Sequence, residues 1–125
     1  MDRFNCLLVE DSAVMRQRLS MSIARVREIE VVEADDGVDA IKKLSEKRFD
    51  LVLVDINLPI MDGLKVIKHI RTNAIHAEVP VIVITTEGLS DTRERADKLG
   101  VQGYFTKPID APAIVAKARE LLGID

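Results

Sequence analysis

The sequence predicts an α/β fold in which five strands alternate with five helices in one (βα)5 unit. Short apolar runs of strand length recur along the chain, and between them apolar residues return at the spacing of an amphipathic helix. No internal repeat, low-complexity segment or linker interrupts the alternation. Strands that alternate with helices form a parallel sheet with right-handed crossovers, so we expect a doubly wound sheet with helices on both faces.

The strands are predicted from five apolar runs. These runs comprise residues 6–9, 31–34, 51–54, 81–84 and 103–105. The third run, Leu51–Val54, is wholly apolar, which is typical of a strand that is covered on both faces.

The helices are predicted from apolar residues at helical spacing between the strands. They are Met15, Leu19, Ile23 and Val26; Ile41 and Leu44; Val66, Ile67 and Ile70; Ala96 and Leu99; and Ile114, Ala118, Leu121 and Leu122. Ser12 and Ser90 are predicted N-caps, and Gly100 is a predicted C-cap. The fourth helix has the thinnest apolar face, because Ala96 and Leu99 are its main anchors.

Length and composition place further bounds. A chain of 125 residues that is 47% hydrophobic fits a single domain over residues 1–125. The lone cysteine, Cys6, excludes an internal disulfide and a cysteine-based zinc site, and it fits a reducing compartment. A net charge of -3 without a basic cluster argues against nucleic-acid binding, and no stretch approaches the roughly 20 apolar residues that span a bilayer. We therefore expect a soluble cytoplasmic protein.

The residues that follow the strands carry the chemistry. In a parallel sheet of this kind the carboxyl ends of the strands lie at one edge, where ligands bind. Asp55 directly follows the most apolar strand, and because an unpaired buried charge is costly we expect it at the exposed end of that strand. The polar residues predicted to meet at this edge are Glu10, Asp11, Asp55, Thr85, Thr86 and Lys107.

This cluster favours a metal site. Singly, each residue has an ordinary interpretation, such as Asp11 as a helix cap and Lys107 as a surface lysine. Together, like charges about 4 Å apart repel by roughly 4 kcal/mol at an effective dielectric of about 20, and one lysine cannot neutralise three acids. A hard divalent cation can, and carboxylate, carbonyl and water ligands without His or Cys suit Mg²⁺.

Four motifs at the strand ends carry a family resemblance. The segments "VEDS", "VDINLPIMDG", "VITTEG" and "GYFTKPI", in this order, resemble the receiver domain of two-component response regulators, and the resemblance covers nearly the whole chain. It is similar to the short, stand-alone chemotaxis-type receivers, which implies the flavodoxin-like strand order 2-1-3-4-5. It also implies a signalling phosphoacceptor in a phosphorelay, which is not an enzyme beyond its own phosphotransfer and dephosphorylation.

The resemblance implies a role for the residues at the strand ends. Asp55 would accept a phosphoryl group from a histidine kinase or phosphotransfer protein. Mg²⁺ would be bound by the carboxylates of Asp11 and Asp55 and the backbone carbonyl of Asn57, while Glu10 would act mainly through a bound water. Lys107 would pair with a phosphoryl oxygen.

Further residues are implied to shape the switch. Thr85 would hydrogen-bond the phosphoryl group, and Tyr104 would turn between outward and inward positions. A target protein would then bind the face of the fourth helix, fifth strand and fifth helix, and we expect a monomer. The residues implied to shape the loops are Pro59, Asp62, Gly63 and Pro108, the last usually preceded by a cis bond.

Three residues are expected to modulate the loss of phosphate. In receivers the positions of Asn57 and Glu87 flank the path of the attacking water. The third, Thr86, is bulkier than the Ala, Gly or Ser usual at its position and is expected to narrow access to the phosphoryl group.

Other classes remain open. A flavodoxin-like redox protein or an Asp-nucleophile phosphatase would share the layered fold, but the first strand is not followed by a Ser-, Thr- or Gly-rich phosphate loop. A pseudo-receiver would keep the fold as an interaction module without phosphorylation, and fold alone does not decide between these functions. His69 and His76 are expected to be solvated rather than metal ligands, because neither has a second His or Cys nearby in sequence.

Overall fold

The computed structural model describes residues 3–86 and 88–125, and within them strands and helices alternate as the sequence predicts. The elements are β1 Phe4–Val9, α1 Ala13–Ala24, β2 Ile29–Ala34, α2 Gly37–Glu46, β3 Leu51–Val54, α3 Gly63–Thr72, β4 Val81–Thr85, α4 Ser90–Lys98, β5 Gly103–Thr106 and α5 Ala111–Leu122. The main differences are at strand ends, where β1 and β2 begin earlier than predicted and β4 includes Thr85. None of the described helices is long and apolar enough to cross a membrane.

The strands form one parallel sheet in the order β2-β1-β3-β4-β5, which confirms the predicted topology. Val9 pairs with Ala34 on one side and with Val54 on the other, so β1, β2 and β3 end level with one another. The residues that follow these strands are therefore held at one edge of the sheet.

Two apolar cores cover the two faces of the sheet. Alternate residues of β3 point to opposite faces, so Val52 and Val54 join one core while Leu51 and Leu53 join the other. The first core includes buried residues of α2, α3 and α4, and the second includes buried residues of α1 and α5. Both faces of β3 are thus covered, as its unbroken apolar run predicts, and Asp55 is fixed at the end of a rigid central strand.

The helix ends match the sequence predictions only in part. Ser12 caps α1, since its hydroxyl accepts a hydrogen bond from the backbone N–H of Met15. The prediction that Ser90 caps α4 was wrong, because Ser90 is the first residue of that helix and the cap position is Leu89, which makes no side-chain cap bond. The carboxylates that cap α2, α3 and α5, which the sequence analysis did not predict, belong to Asp36, Asp62 and Asp110.

His76 is not solvated, contrary to the sequence prediction. Its side chain is buried, and its Nε2 atom accepts a hydrogen bond of 3.0 Å from the backbone N–H of Phe49. The imidazole therefore satisfies a backbone donor between β3 and the preceding helix, a contact over 27 residues of sequence. Burial, and then the nearby charge of Arg48, lower the pKa of His76, which favours the neutral ring that this bond requires.

Candidate functional site

The two acids that follow β1 and β3 lie almost completely inside the protein. Glu10 is 1% exposed and Asp55 is 4% exposed, whereas Asp11 faces solvent. The expectation that Asp55 lies at an exposed strand end was therefore wrong. It rested on an unpaired carboxylate, and in the structure this carboxylate is paired.

Lys107 is the partner of both buried acids. Its Nζ atom lies 2.8 Å from Glu10 Oε1 and 2.8 Å from Asp55 Oδ2, and its own side chain is only 13% exposed. The ammonium group reaches these carboxylates from the residue that follows β5. Because removing one partner of a buried ion pair leaves an uncompensated charge, the three side chains form one electrostatic unit.

Backbone N–H groups orient the remaining carboxylate oxygens. The N–H of Asn57 donates to Asp55 Oδ1 at 3.0 Å, and the N–H of Ser12 donates to Glu10 Oε2 at 3.0 Å. Each buried carboxylate thus has one oxygen on the ammonium of Lys107 and the other on the main chain. This arrangement fixes the rotation of both groups before any ligand arrives.

The loop after Asp55 is folded tightly against the strand. A Cβ atom on Gly63 would lie 2.1 Å from the carbonyl oxygen of Asp55, so only glycine fits at this position. The N–H of Gly63 donates to the carbonyl of Ile56, and Asp62 caps α3 directly before it. The peptide bond between Lys107 and Pro108 is cis, as the family resemblance implies.

The burial of the site changes the pKa of two of its groups. Burial raises the pKa of Glu10, even though hydrogen bonds from Lys107 and from the Ser12 backbone act in the opposite direction. Burial by itself lowers the pKa of Lys107, but the hydrogen bonds with Asp55 and Glu10 outweigh it and raise the pKa. Lys107 is therefore held as an ammonium, while Glu10 takes up a proton more readily than a fully solvated glutamate does as the pH falls.

The acids that flank Lys107 also fit a cation site. Glu10, Asp11 and Asp55 each offer one carboxylate oxygen, and these oxygens lie within 4.8 Å of one another. Oxygen ligands from two buried acids and one exposed acid match the preference of Mg²⁺ for carboxylates with water in its remaining positions. One ammonium does not balance three carboxylates, so the charge of the site favours a divalent cation.

Two threonine hydroxyls belong to the carboxyl end of β4, the strand that flanks β3 on the side opposite β1. Thr85 is completely buried at the end of β4, and Thr86 is exposed. The Thr86 hydroxyl accepts a hydrogen bond of 2.9 Å from the side-chain amide of Asn57, a contact that the sequence analysis did not foresee. This bond links the loop after β3 to the loop after β4. Glu87, the third residue expected to modulate phosphate loss, lies outside the described residues.

Tyr104 lies on β5, an edge strand, and its side chain is partly buried against the first apolar core. The guanidinium of Arg93, from α4, lies 5.1 Å from the centre of its ring, a distance typical of a cation–π contact. Helix α4 itself has a single buried residue, Ala96. The sequence predicted the weak anchoring of α4 but not the contact between Arg93 and Tyr104. One arginine in a highly charged helix gives no indication of the residue that it contacts.

Comparisons with known proteins agree with this geometry. A family model described as "Response regulator receiver domain" matches residues 6–119. The chain is 36% identical over 118 residues to the chemotaxis protein CheY1 of Helicobacter pylori, an alignment that covers 94% of this chain and 95% of that protein. It is 34% identical to a chemotaxis protein CheY homolog of Campylobacter jejuni, with 94% of this chain and 91% of that protein covered.

Solved structures give the same result for the fold. The chemotaxis response regulator CheY4 of Vibrio cholerae superposes with a TM-score of 0.86 at 27% identity, covering 95% of this chain and 98% of that one. A response regulator receiver protein from Pseudomonas putida superposes with a TM-score of 0.89 at 27% identity, covering 96% and 98%. The similarity extends over nearly the full length of each chain.

Proposed function

The chain belongs to the response regulator receiver family, whose CheY-like members are signalling proteins that act by phosphorylation, and we propose that Asp55 is the residue phosphorylated here. The observation that carries this proposal is the shared ammonium of Lys107, which holds Asp55 and Glu10 beside the exposed Asp11. A phosphoryl group needs positioning and charge neutralisation rather than covalent help from other side chains, and this cluster provides both.

In the proposed transfer, a carboxylate oxygen of Asp55 attacks the phosphorus of a phosphohistidine on a kinase or phosphotransfer protein. An O–P bond forms as the N–P bond of the donor breaks, and the donor nitrogen keeps the electron pair. The carboxylates of Asp11 and Asp55 and the Asn57 carbonyl would hold Mg²⁺, with Glu10 acting mainly through a bound water, and the ion would neutralise negative charge on the transferred group. Lys107 then exchanges its contact with Asp55 for one with a phosphoryl oxygen.

The proposed output is a change in the face formed by α4, β5 and α5. A phosphoryl group on Asp55 adds negative charge and acceptor oxygens, which draw the Thr85 hydroxyl toward it. Movement at Thr85 makes room for Tyr104 to turn inward and leave Arg93, and this biases an existing equilibrium between two arrangements. A downstream target protein would then recognise the altered face.

The proposed return to the resting state is hydrolysis by water. Attack on phosphorus breaks the O–P bond and releases inorganic phosphate, which restores the Asp55 carboxylate. Asn57 stands next to this path, where its side chain is held by Thr86, so the pair would govern how easily water enters. We propose that residues 1–125 do this as one monomeric domain in the cytoplasm.

A small phosphodonor tests the assignment of Asp55. Acetyl phosphate with Mg²⁺ should add a single phosphoryl group, seen in the intact mass, and removing Mg²⁺ with a chelator should abolish the addition. Asp55→Asn should take up none, while Asp50→Asn, on a carboxylate at the opposite end of β3, should react like the parent chain. Addition of phosphate to Asp55→Asn at parental stoichiometry would contradict the assignment.

A further inference from the structure

Ile60 combines two unfavourable features in the loop between β3 and α3. Its side chain is 89% exposed, and its φ angle is 68°, a left-handed conformation that β-branched residues strongly disfavour. The N–H of Met61 donates to the carbonyl of Pro59 at 2.7 Å, so Ile60 is the central residue of a tight three-residue turn. Glycine or asparagine at this position would remove both the backbone strain and the exposed apolar side chain.

The residue after Ile60 opens onto a groove between α2 and α3. This cavity of about 330 Å³ is lined by Ile41, Met61, Lys65, Lys68, His69 and Thr72. The start of α2 packs closely against the loop that contains Met61, since a Cβ atom on Gly37 would lie 2.8 Å from the carbonyl oxygen of Met61. This close packing holds one side of the groove in place. The floor of the groove is therefore apolar, formed by Ile41 and Met61, and its rim carries Lys65 and Lys68. The exposed Ile60 directly precedes Met61 in the chain.

Two lysines on α3, Lys65 and Lys68, form no ion pair with an acid among the residues that the structure describes. Neither Lys65 nor Lys68 has a carboxylate oxygen within 4.0 Å of its ammonium. Of the acids close by in sequence or on α2, Asp62 accepts a hydrogen bond from the backbone N–H of Lys65 as the cap of α3, and Asp39 pairs with Lys43. Lys65 and Lys68 also line the neighbouring groove toward α4, where Arg95 adds further positive charge and Lys98 is paired with Glu94 at 3.8 Å.

We propose that the α2–α3 groove, with Ile60 beside it, is a docking site for an acidic amphipathic helix of a partner protein. A groove between two helices accepts a third helix through its apolar face, and Ile41 and Met61 provide the matching floor. Carboxylates beside the apolar face of the partner helix would pair with Lys65 and Lys68. Docking does not require phosphorylation of Asp55, because none of these residues belongs to the carboxylate cluster.

One substitution at Ile60 is expected to change stability and docking in opposite directions. Ile60→Asn should raise the melting temperature, since asparagine tolerates a left-handed φ angle and a solvent-exposed position. The same substitution should weaken docking, because it removes an apolar contact from the partner. A residue that served only the fold of this loop would not show a gain in stability together with a loss of binding.

The probe is a fluorescein-labelled synthetic helix of about 18 residues, with leucine along one face and glutamate elsewhere. The parent chain should bind it, with an affinity that falls as salt is added. Lys65→Glu with Lys68→Glu should weaken binding by about tenfold or more, and Ile60→Asn should weaken it by roughly fivefold. Arg18→Glu, an exposed charge reversal on α1, should bind like the parent chain.

Three results would overturn the proposal. The first is equal affinity for a matched peptide with glutamine in place of every glutamate. The second is unchanged affinity in Ile60→Asn or in the double lysine variant. The third is self-association of the parent chain that Ile60→Asn abolishes, since this would assign the surface to a second copy. Asp55→Asn should keep the affinity for the peptide, so the result is independent of the proposed phosphorylation.

Discussion

At the scale of single residues, the proposed chemistry depends on one long-range contact. Lys107 is 52 residues from Asp55 and 97 from Glu10 in sequence, yet its ammonium lies 2.8 Å from both carboxylates. Without it, two acids that are almost fully buried would face each other with only backbone donors. The lysine therefore stabilises the metal-free fold, and in the proposed transfer it also positions Asp55.

Lys107→Met should lower the free energy of unfolding by about 3 kcal/mol in metal-free buffer, because it leaves buried carboxylates without a counter-charge. Lys117→Met is the matched control, since Lys117 pairs with Glu120 at 2.8 Å on a largely exposed helix face, and it should cost less than about 1 kcal/mol. Chemical denaturation of both variants measures the difference. Equal losses in the two variants would show that the buried cluster has no special weight.

The stability cost of Lys107→Met should depend on pH. Burial raises the pKa of Glu10, so the folded state takes up a proton at this acid more readily than the unfolded state does. Unfolding then becomes less favourable as the pH falls toward the folded pKa, and protonated Glu10 no longer needs a counter-charge. The cost of Lys107→Met should accordingly shrink as the pH is lowered from neutral through the raised pKa of Glu10, whereas that of Lys117→Met should not.

The sequence predicted which acids lie close together, but not which group neutralises their charge. The strand ends bring Glu10, Asp11 and Asp55 together because strand register follows from the apolar pattern. The exposure of Asp55 could not be read in the same way, since it depends on the reach of Lys107 from β5. The prediction that His76 is solvated was wrong for the same reason, because its partner is the backbone N–H of Phe49, which no sequence pattern indicates.

At the scale of elements, α4 is held unequally at its two ends. The guanidinium of Arg71, on α3, donates to the carbonyls of Leu99 and Gly100 at 2.7 and 3.1 Å, directly after the last turn of α4. It also donates to Val79 at 2.7 Å, which joins the end of α3 to the start of β4. At the first turn the cap residue, Leu89, is 66% exposed and makes no side-chain cap bond. We expect α4 to pivot about its C-terminal end.

Arg71→Met should remove this anchor and speed amide exchange at Leu99 and Gly100 by roughly tenfold, because each N–H bonds only within the last turn of α4. Hydrogen exchange read by NMR measures it, with Arg25→Met, an exposed arginine at the end of α1, as the control. Exchange that rises equally in α1 and α4 would indicate general destabilisation instead of a local anchor. The sequence predicted the thin apolar face of α4 but not this asymmetry, which depends on a side chain from another helix.

At the scale of the whole molecule, the two ends of the proposed switch are joined through α4 and β5. Thr85 lies at the end of β4, and Thr106, its partner on β5, lies two residues beyond Tyr104. Arg93 rests against the Tyr104 ring from α4, so a turn of the ring alters both elements together. Because the described α4 has one buried residue, we expect that a small free-energy change from phosphorylation of Asp55 would shift the position of this helix.

A phosphoryl mimic should therefore change residues far from Asp55. Adding beryllofluoride to the Mg²⁺-loaded protein should shift the amide NMR signals of residues 90–106 as well as those of the loops at the site, because it biases the Thr85 and Tyr104 arrangement. Thr85→Ala should still bind the mimic but lose most of the distant shifts, since it keeps the nucleophile and removes the hydroxyl on which the proposed switch depends. Thr86→Ala, which removes a hydroxyl only one residue away, should retain them. Shifts confined to the loops around Asp55 in the parent chain would refute a switch through α4 and β5, and a full distant response in Thr85→Ala would move its origin away from Thr85.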